Sequence, residues 1–259
     1  MTIALALGGV LLVAVLNEND QEKLGQVHFP ISCTGASQRQ FDLATARLHS
    51  FSFNEAERYY AAIAKADPDC AMAYWGIAIS RLRRPIPGKR PVYDFYAAQE
   101  ALRLGRAARV ATTRERDYIA ALSLLFDSGN GSDWDDRTIA YERAMRTLAA
   151  RERGDQEATI FYALALNIVA READPKFERR AKAAELLLLA LAKQPNHPGL
   201  SHYLTYCLKV SPEEGAAVEA LRHDRFGWVF KDALVTLAFL GVCAFFVAVW
   251  PVWSRAEGT

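Results

Sequence analysis

The chain has 259 residues, 51% of them hydrophobic, and a formal net charge of +1. That balance suits one globular domain with membrane segments, and it excludes a nucleic-acid track, because Lys and Arg gather only in short clusters such as Arg81, Arg83 and Arg84. Four cysteines without a Cys-x-x-Cys or paired Cys/His spacing leave haem attachment, thioredoxin chemistry and a structural zinc site without their usual sequence support.

In chain order, residues 1–17 come first. Thr2 to Leu16 carries no charge, the length of a signal-peptide core or a short membrane helix. A basic leader and an Ala-x-Ala-like cleavage site are missing, so a retained anchor is expected rather than a removed signal.

Residues 24–224 form the extramembrane domain, and from Ala36 onward apolar residues recur every three or four positions with no alternating strand pattern. The spacing predicts helices over 36 to 50, 53 to 66, 70 to 83, 92 to 110, 113 to 127, 133 to 153, 156 to 172, 176 to 194 and 198 to 209, with a further short one over 212 to 223. Breaks fall at Pro- and Gly-bearing stretches such as Asp67-Pro68 and Gln194 to Gly199, which a helix interior resists by ~1 to 3 kcal/mol. Ser37, Asp69 and Asp155 are the expected helix caps, with Thr113 opening the fifth helix.

Helical hairpins in succession point to a repeat. With Pro68 as the last landmark of a 34-residue tetratricopeptide unit, Leu43, Ala44 and Ala56 take the close-packing positions and Tyr60 the aromatic one. Tyr74, Ile77 and Ala78 follow in the next unit, and Ala183, Leu187 and Pro195 keep the spacing later. The fold class expected is therefore all-α, an antiparallel helical-hairpin solenoid.

Val27 to Cys33, Leu48 to Ala56, Ala66 to Ala78, Phe161 to Asn167 and His197 to Leu204 together resemble a bacterial family of exported tetratricopeptide-repeat proteins. The resemblance covers roughly Leu24 to Tyr206. It implies an exported repeat domain and no particular chemistry. Tyr206 stands where the family's His-Tyr-Leu-x-His pattern has its second histidine.

After Cys207 the resemblance stops. A charge-free run from Ala233 to Ser254 follows, long enough to cross a hydrocarbon layer of ~30 Å as a helix over 226–253, before a tail at 254–259. Trp228, Trp250 and Trp253 flank it as interface anchors. Gly241, Ala244 and Ala248 offer a small-residue stripe for helix contact.

Few side chains suggest a reactive site. Cys33 and Cys70 sit at neighbouring loop ends, within reach of a disulfide or as two small buried thiols. His197 and His202 are the metal candidates, although a spacing of five across Pro198-Gly199 does not put both imidazoles on one helical face. His49 reads as a core or capping histidine, since no nucleophile elbow accompanies it. Asp135 and Asp136 complement a helix N-terminus, and Gly129-Asn130-Gly131 lacks the Lys-Ser/Thr of a phosphate loop.

No catalytic residue and no cofactor is expected. The expected role is a scaffold, an accessory subunit of a multisubunit bacterial membrane complex such as a respiratory or photosynthetic one. Its partners would be other subunits and the bilayer. A transient periplasmic recruitment module is the second reading, and a metal-dependent enzyme using His197 and His202 the third. The exported character and the cysteine pair favour a periplasmic domain, whereas Arg222, Arg225 and Lys231 against Arg255 alone pull the other way.

Overall fold

The computed structural model describes residues 24–82, 95–126, 134–170, 174 and 177–208. The anchor at 1–17, the helix expected over 212 to 223, and the span at 226–253 with Trp228, Trp250 and Trp253 lie outside the described residues. Among the described residues no helix is long and apolar enough to cross a membrane.

Within these bounds the protein is all-α. Nine helices follow one another: α1 (Gly35–His49), α2 (Phe53–Ala66), α3 (Ala71–Ser80), α4 (Phe95–Ala107), α5 (Thr113–Phe126), α6 (Trp134–Arg151), α7 (Gln156–Val169), α8 (Glu178–Lys193) and α9 (Leu200–Leu208). Each packs on its chain neighbours, and the odd-numbered helices also touch in the pairs α1–α3, α3–α5 and α7–α9.

The sequence explains this division into layers. Even-numbered helices bury one stripe, as Ala56, Tyr60 and Ile63 do on α2 and Ala183, Ala184, Leu187 and Ala190 on α8. Such a stripe makes an outer element with one face in water. By contrast α3 reads Ala-Met-Ala-Tyr-Trp-Gly-Ile-Ala-Ile-Ser and is buried on nearly every side, as an inner element must be. Helix α7 serves two clusters: Ala158, Phe161 and Ala165 pack with α1 to α6, while Ile160, Ala163 and Leu166 pack with α8 and α9.

Caps differ from expectation at two helices. Thr34, not Ser37, caps α1, its hydroxyl accepting the Ser37 N–H at 3.2 Å, while the Ser37 hydroxyl donates to Asp67. Asp69 does not cap α3. Its carboxylate takes the Arg109 guanidinium at 2.6 Å, and the N-cap position falls to Cys70, whose sulfur is committed elsewhere. Asp155 caps α7 by accepting the Ala158 N–H at 3.0 Å. Before α5, Thr112 and Glu115 form a reciprocal capping box.

Cys33 and Cys70 are joined by a disulfide with Cα atoms 5.3 Å apart, linking the entry of α1 to the start of α3 across 37 positions. Cys207 is buried, with the Asn167 amide donating to its sulfur at 2.8 Å. Burial pushes its thiol up to about 11, so it is a packing residue rather than a nucleophile.

The α2–α3 contact is close because Gly76 has no side chain. A Cβ there would come within 2.5 Å of three atoms of the buried Tyr60 ring, whose hydroxyl is held against Thr45 at 2.9 Å. Gly76→Ala should therefore lower unfolding stability by about 3 kcal/mol, read from chemical denaturation. Cys70→Ser opens the loop that the disulfide closes and should cost roughly 2 to 4 kcal/mol in the same measurement, with wild type under reductant losing a similar amount.

Candidate functional site

Residues 25–33 precede α1, outside helix and strand, and lie across the inner helices with Val27 and Phe29 buried and Gln26, His28 and Pro30 exposed. Such a segment has no ladder partner, so its inward peptide groups must find side chains or turns. They do. The Gln26 N–H donates to Asn196 O in the α8–α9 connection at 3.0 Å. The Phe29 N–H donates to Asp42 of α1 at 2.9 Å, while the Phe29 carbonyl accepts the Gln38 amide at 2.9 Å. Pro30 O accepts from Arg114 of α5 at 2.8 Å, the Ile31 N–H donates to Gln38 at 2.8 Å, and the Ser32 N–H donates to Glu115 at 2.6 Å.

Phe29 is the anchor. Its ring is fully buried and meets Phe41 of α1, Trp75 of α3, Tyr118 of α5 and Phe161 of α7, with centroids 5.0 to 6.3 Å away. One side chain thus touches four inner helices. Burying it contributes on the order of 2 to 3 kcal/mol, and the edge-on rings add to that. Arg114 lies over the same ring with its charge 5.0 Å from the centroid, and its Nε donates to Asp155 at 2.6 Å.

Gly25 admits the strand. Its φ is +85°, a left-handed conformation that side chains resist, and a Cβ would stand 2.3 Å from Asn196 O. Burial raises the Asp42 carboxyl above its usual range, against the pull of the Phe29 N–H and His28.

A second polar cluster lies at the end of α1. His49, its last residue, has its Nε2 2.9 Å from Glu157 of α7 and its Nδ1 2.8 Å from the Tyr203 hydroxyl of α9. His197, in the α8–α9 connection, places Nε2 3.4 Å from the other oxygen of Glu157, without the alignment that a hydrogen bond needs. The two imidazole centroids are 4.5 Å apart, and all three side chains are 1% exposed or less. Burial pushes the Glu157 carboxyl up, but His49 and His197 outweigh it and hold the group at about 2. The carboxylate is therefore an anion, and a buried anion must be paired. Burial and the neighbouring His49 depress His197 below the ordinary histidine value.

Of the metal candidates, His197 joins this cluster and His202 does not. His202 is exposed beside the Phe51 ring, 5.7 Å between centroids, so the expected pair is replaced by His197 with His49 and Glu157. The spacing of five residues sends one imidazole inward from the connection and the other out from α9. Glu157 was not anticipated. Its sequence signal is a carboxylate on the same helical stripe as Ile160 and Phe161, where a solvated residue does not belong.

A cleft of about 260 Å³ lies between α4 and α5, lined by Leu102, Arg106, Ser123 and Phe126. Arg106 there donates to Ser123 at 2.7 Å.

Asp42→Ala should strand the Phe29 N–H and cost about 1 to 3 kcal/mol. Hydrogen exchange should show the Phe29 amide opening faster, with the α6 amides unchanged.

No family model matches the chain, and no curated protein or solved structure matches it.

Proposed function

We propose that the chain is a tetratricopeptide-like scaffold held at a bacterial membrane, an accessory subunit of a multisubunit membrane complex. The observation that carries this reading is the seating of residues 29–32, whose main chain is met by side chains of α1 and α5. Helical-repeat domains grip extended polypeptides on such an inner surface, and here the inner helices hold a strand of their own chain. Alternating inner and outer helices, with Tyr60 fitted on Gly76 and Ala44 and Ala56 fully buried, support the repeat assignment.

Membrane attachment is proposed from the charge-free runs at Thr2 to Leu16 and Ala233 to Ser254. The gripped strand follows soon after the first run, so it would tie the domain to its anchor. A periplasmic position is supported by the Cys33–Cys70 disulfide, which persists in oxidising compartments. Tyr96, Leu189 and Tyr206 are exposed and offer apolar contact for neighbouring subunits.

The second reading is a periplasmic recruiter that exchanges the seated strand for a partner's. It is favoured by the hydrogen bonds that α1 and α5 make to the backbone of residues 29–32, a mode open to other sequences. Extraction of native membranes in mild detergent separates the two. A subunit should co-migrate with partners in a fixed whole-number ratio, and a chain found alone would leave the recruiter.

A further inference from the structure

His49, Glu157 and His197 each offer one ligating atom, and those atoms all lie within 4.8 Å of one another. Three separate elements deliver them: the end of α1, the first turn of α7 and the α8–α9 connection. Two of the atoms, Glu157 Oε1 and His197 Nε2, have no hydrogen-bond partner although they are buried. Their separation of 3.4 Å is long and poorly aligned for a hydrogen bond. It matches the edge of a tetrahedron around zinc, about 3.3 Å for bonds of about 2.0 to 2.1 Å.

We propose that this cluster is a binding site for one divalent transition-metal ion of the zinc class, held by His49 Nε2, a Glu157 oxygen and His197 Nε2. Two imidazoles and a carboxylate, without a thiolate, suit zinc rather than magnesium or calcium, which prefer all-oxygen shells. Coordination through Nε2 puts each ring proton on Nδ1. For His49 the Tyr203 oxygen at 2.8 Å is placed to accept it, filling the role that an outer hydrogen-bond acceptor has for a ligating histidine. For His197 the ion displaces the 3.2 Å contact from the Gly199 N–H, so metal loading should be visible at the Gly199 amide. With side chains exposed by 1% or less, the ion would serve as a clasp between the first and last hairpins rather than as a reaction centre. Nothing in this depends on the scaffold reading, which co-migration tests separately.

The test uses the full-length chain in mild detergent with its disulfide oxidised, stripped by a chelator and titrated with zinc chloride. One ion per chain is expected, with a higher thermal-unfolding temperature in zinc than in magnesium and a shifted Gly199 amide resonance. Glu157→Gln should weaken zinc binding by at least about 100-fold, while His202→Ala leaves it unchanged. If Glu157→Gln fails to fold, Tyr203→Phe decides, with a loss of about 10-fold expected. No saturable zinc uptake by wild type, uptake only after the cysteines are reduced, or no loss of affinity in the deciding variant would overturn the site.

Discussion

A half-buried segment that lies among helices and pairs with no strand must have its inward peptide groups satisfied by side chains, and that requirement organises the inner face. Gln38 and Asp42 on α1 and Arg114 and Glu115 on α5 are polar residues aimed at the interior, and each meets a main-chain group of residues 29–32. Were Asp42 apolar, the buried Phe29 N–H would lose its partner at about 1 to 3 kcal/mol. Were the strand absent, the same side chains would face an empty aromatic nest. Each requires the other, so the inner helices and residues 24–33 form one packing unit.

Two kinds of link hold this unit at its ends. The Cys33–Cys70 disulfide fixes the strand's exit beside α3, and Gly25 lets its entry lie against Asn196. Between them Phe29 collects α1, α3, α5 and α7 around one ring. The His49–Glu157–His197 cluster joins the hairpins again where α1 ends, with Tyr203 extending it to α9. Buried charge alone is weak evidence for stability, because desolvation opposes the pairing. Here it ties register to pairing, since a shift of α1 against α7 by one residue would part Glu157 from His49.

Much of the helical order was legible from periodicity and breaks. The boundaries expected for α2 coincide with those observed, α1 differs by one residue at each end, and α6 and α8 end within two residues of expectation. Ala44, Ala56 and Tyr60, expected at close-packing positions, are fully buried. A miss came where a longer-range partner outbid a local rule: Asp69 went to Arg109 rather than to the helix start. The seated segment was missed although Val27, Phe29 and Ile31 alternate with the exposed His28, Pro30 and Ser32, because that alternation does not name the helices that receive it. The histidine–glutamate cluster combines positions 108 and 40 residues apart, a juxtaposition that only the packing of inner helices creates.

The bond from Gln26 to Asn196 also bears on the order in which the molecule assembles. Synthesis delivers Phe29 early, but the wall that it meets on α7 and the loop that receives Gln26 emerge more than a hundred residues later. Contacts so distant along the chain close slowly. The earliest-made stretch of the domain thus completes its contacts only once α7 and the α8–α9 connection have emerged.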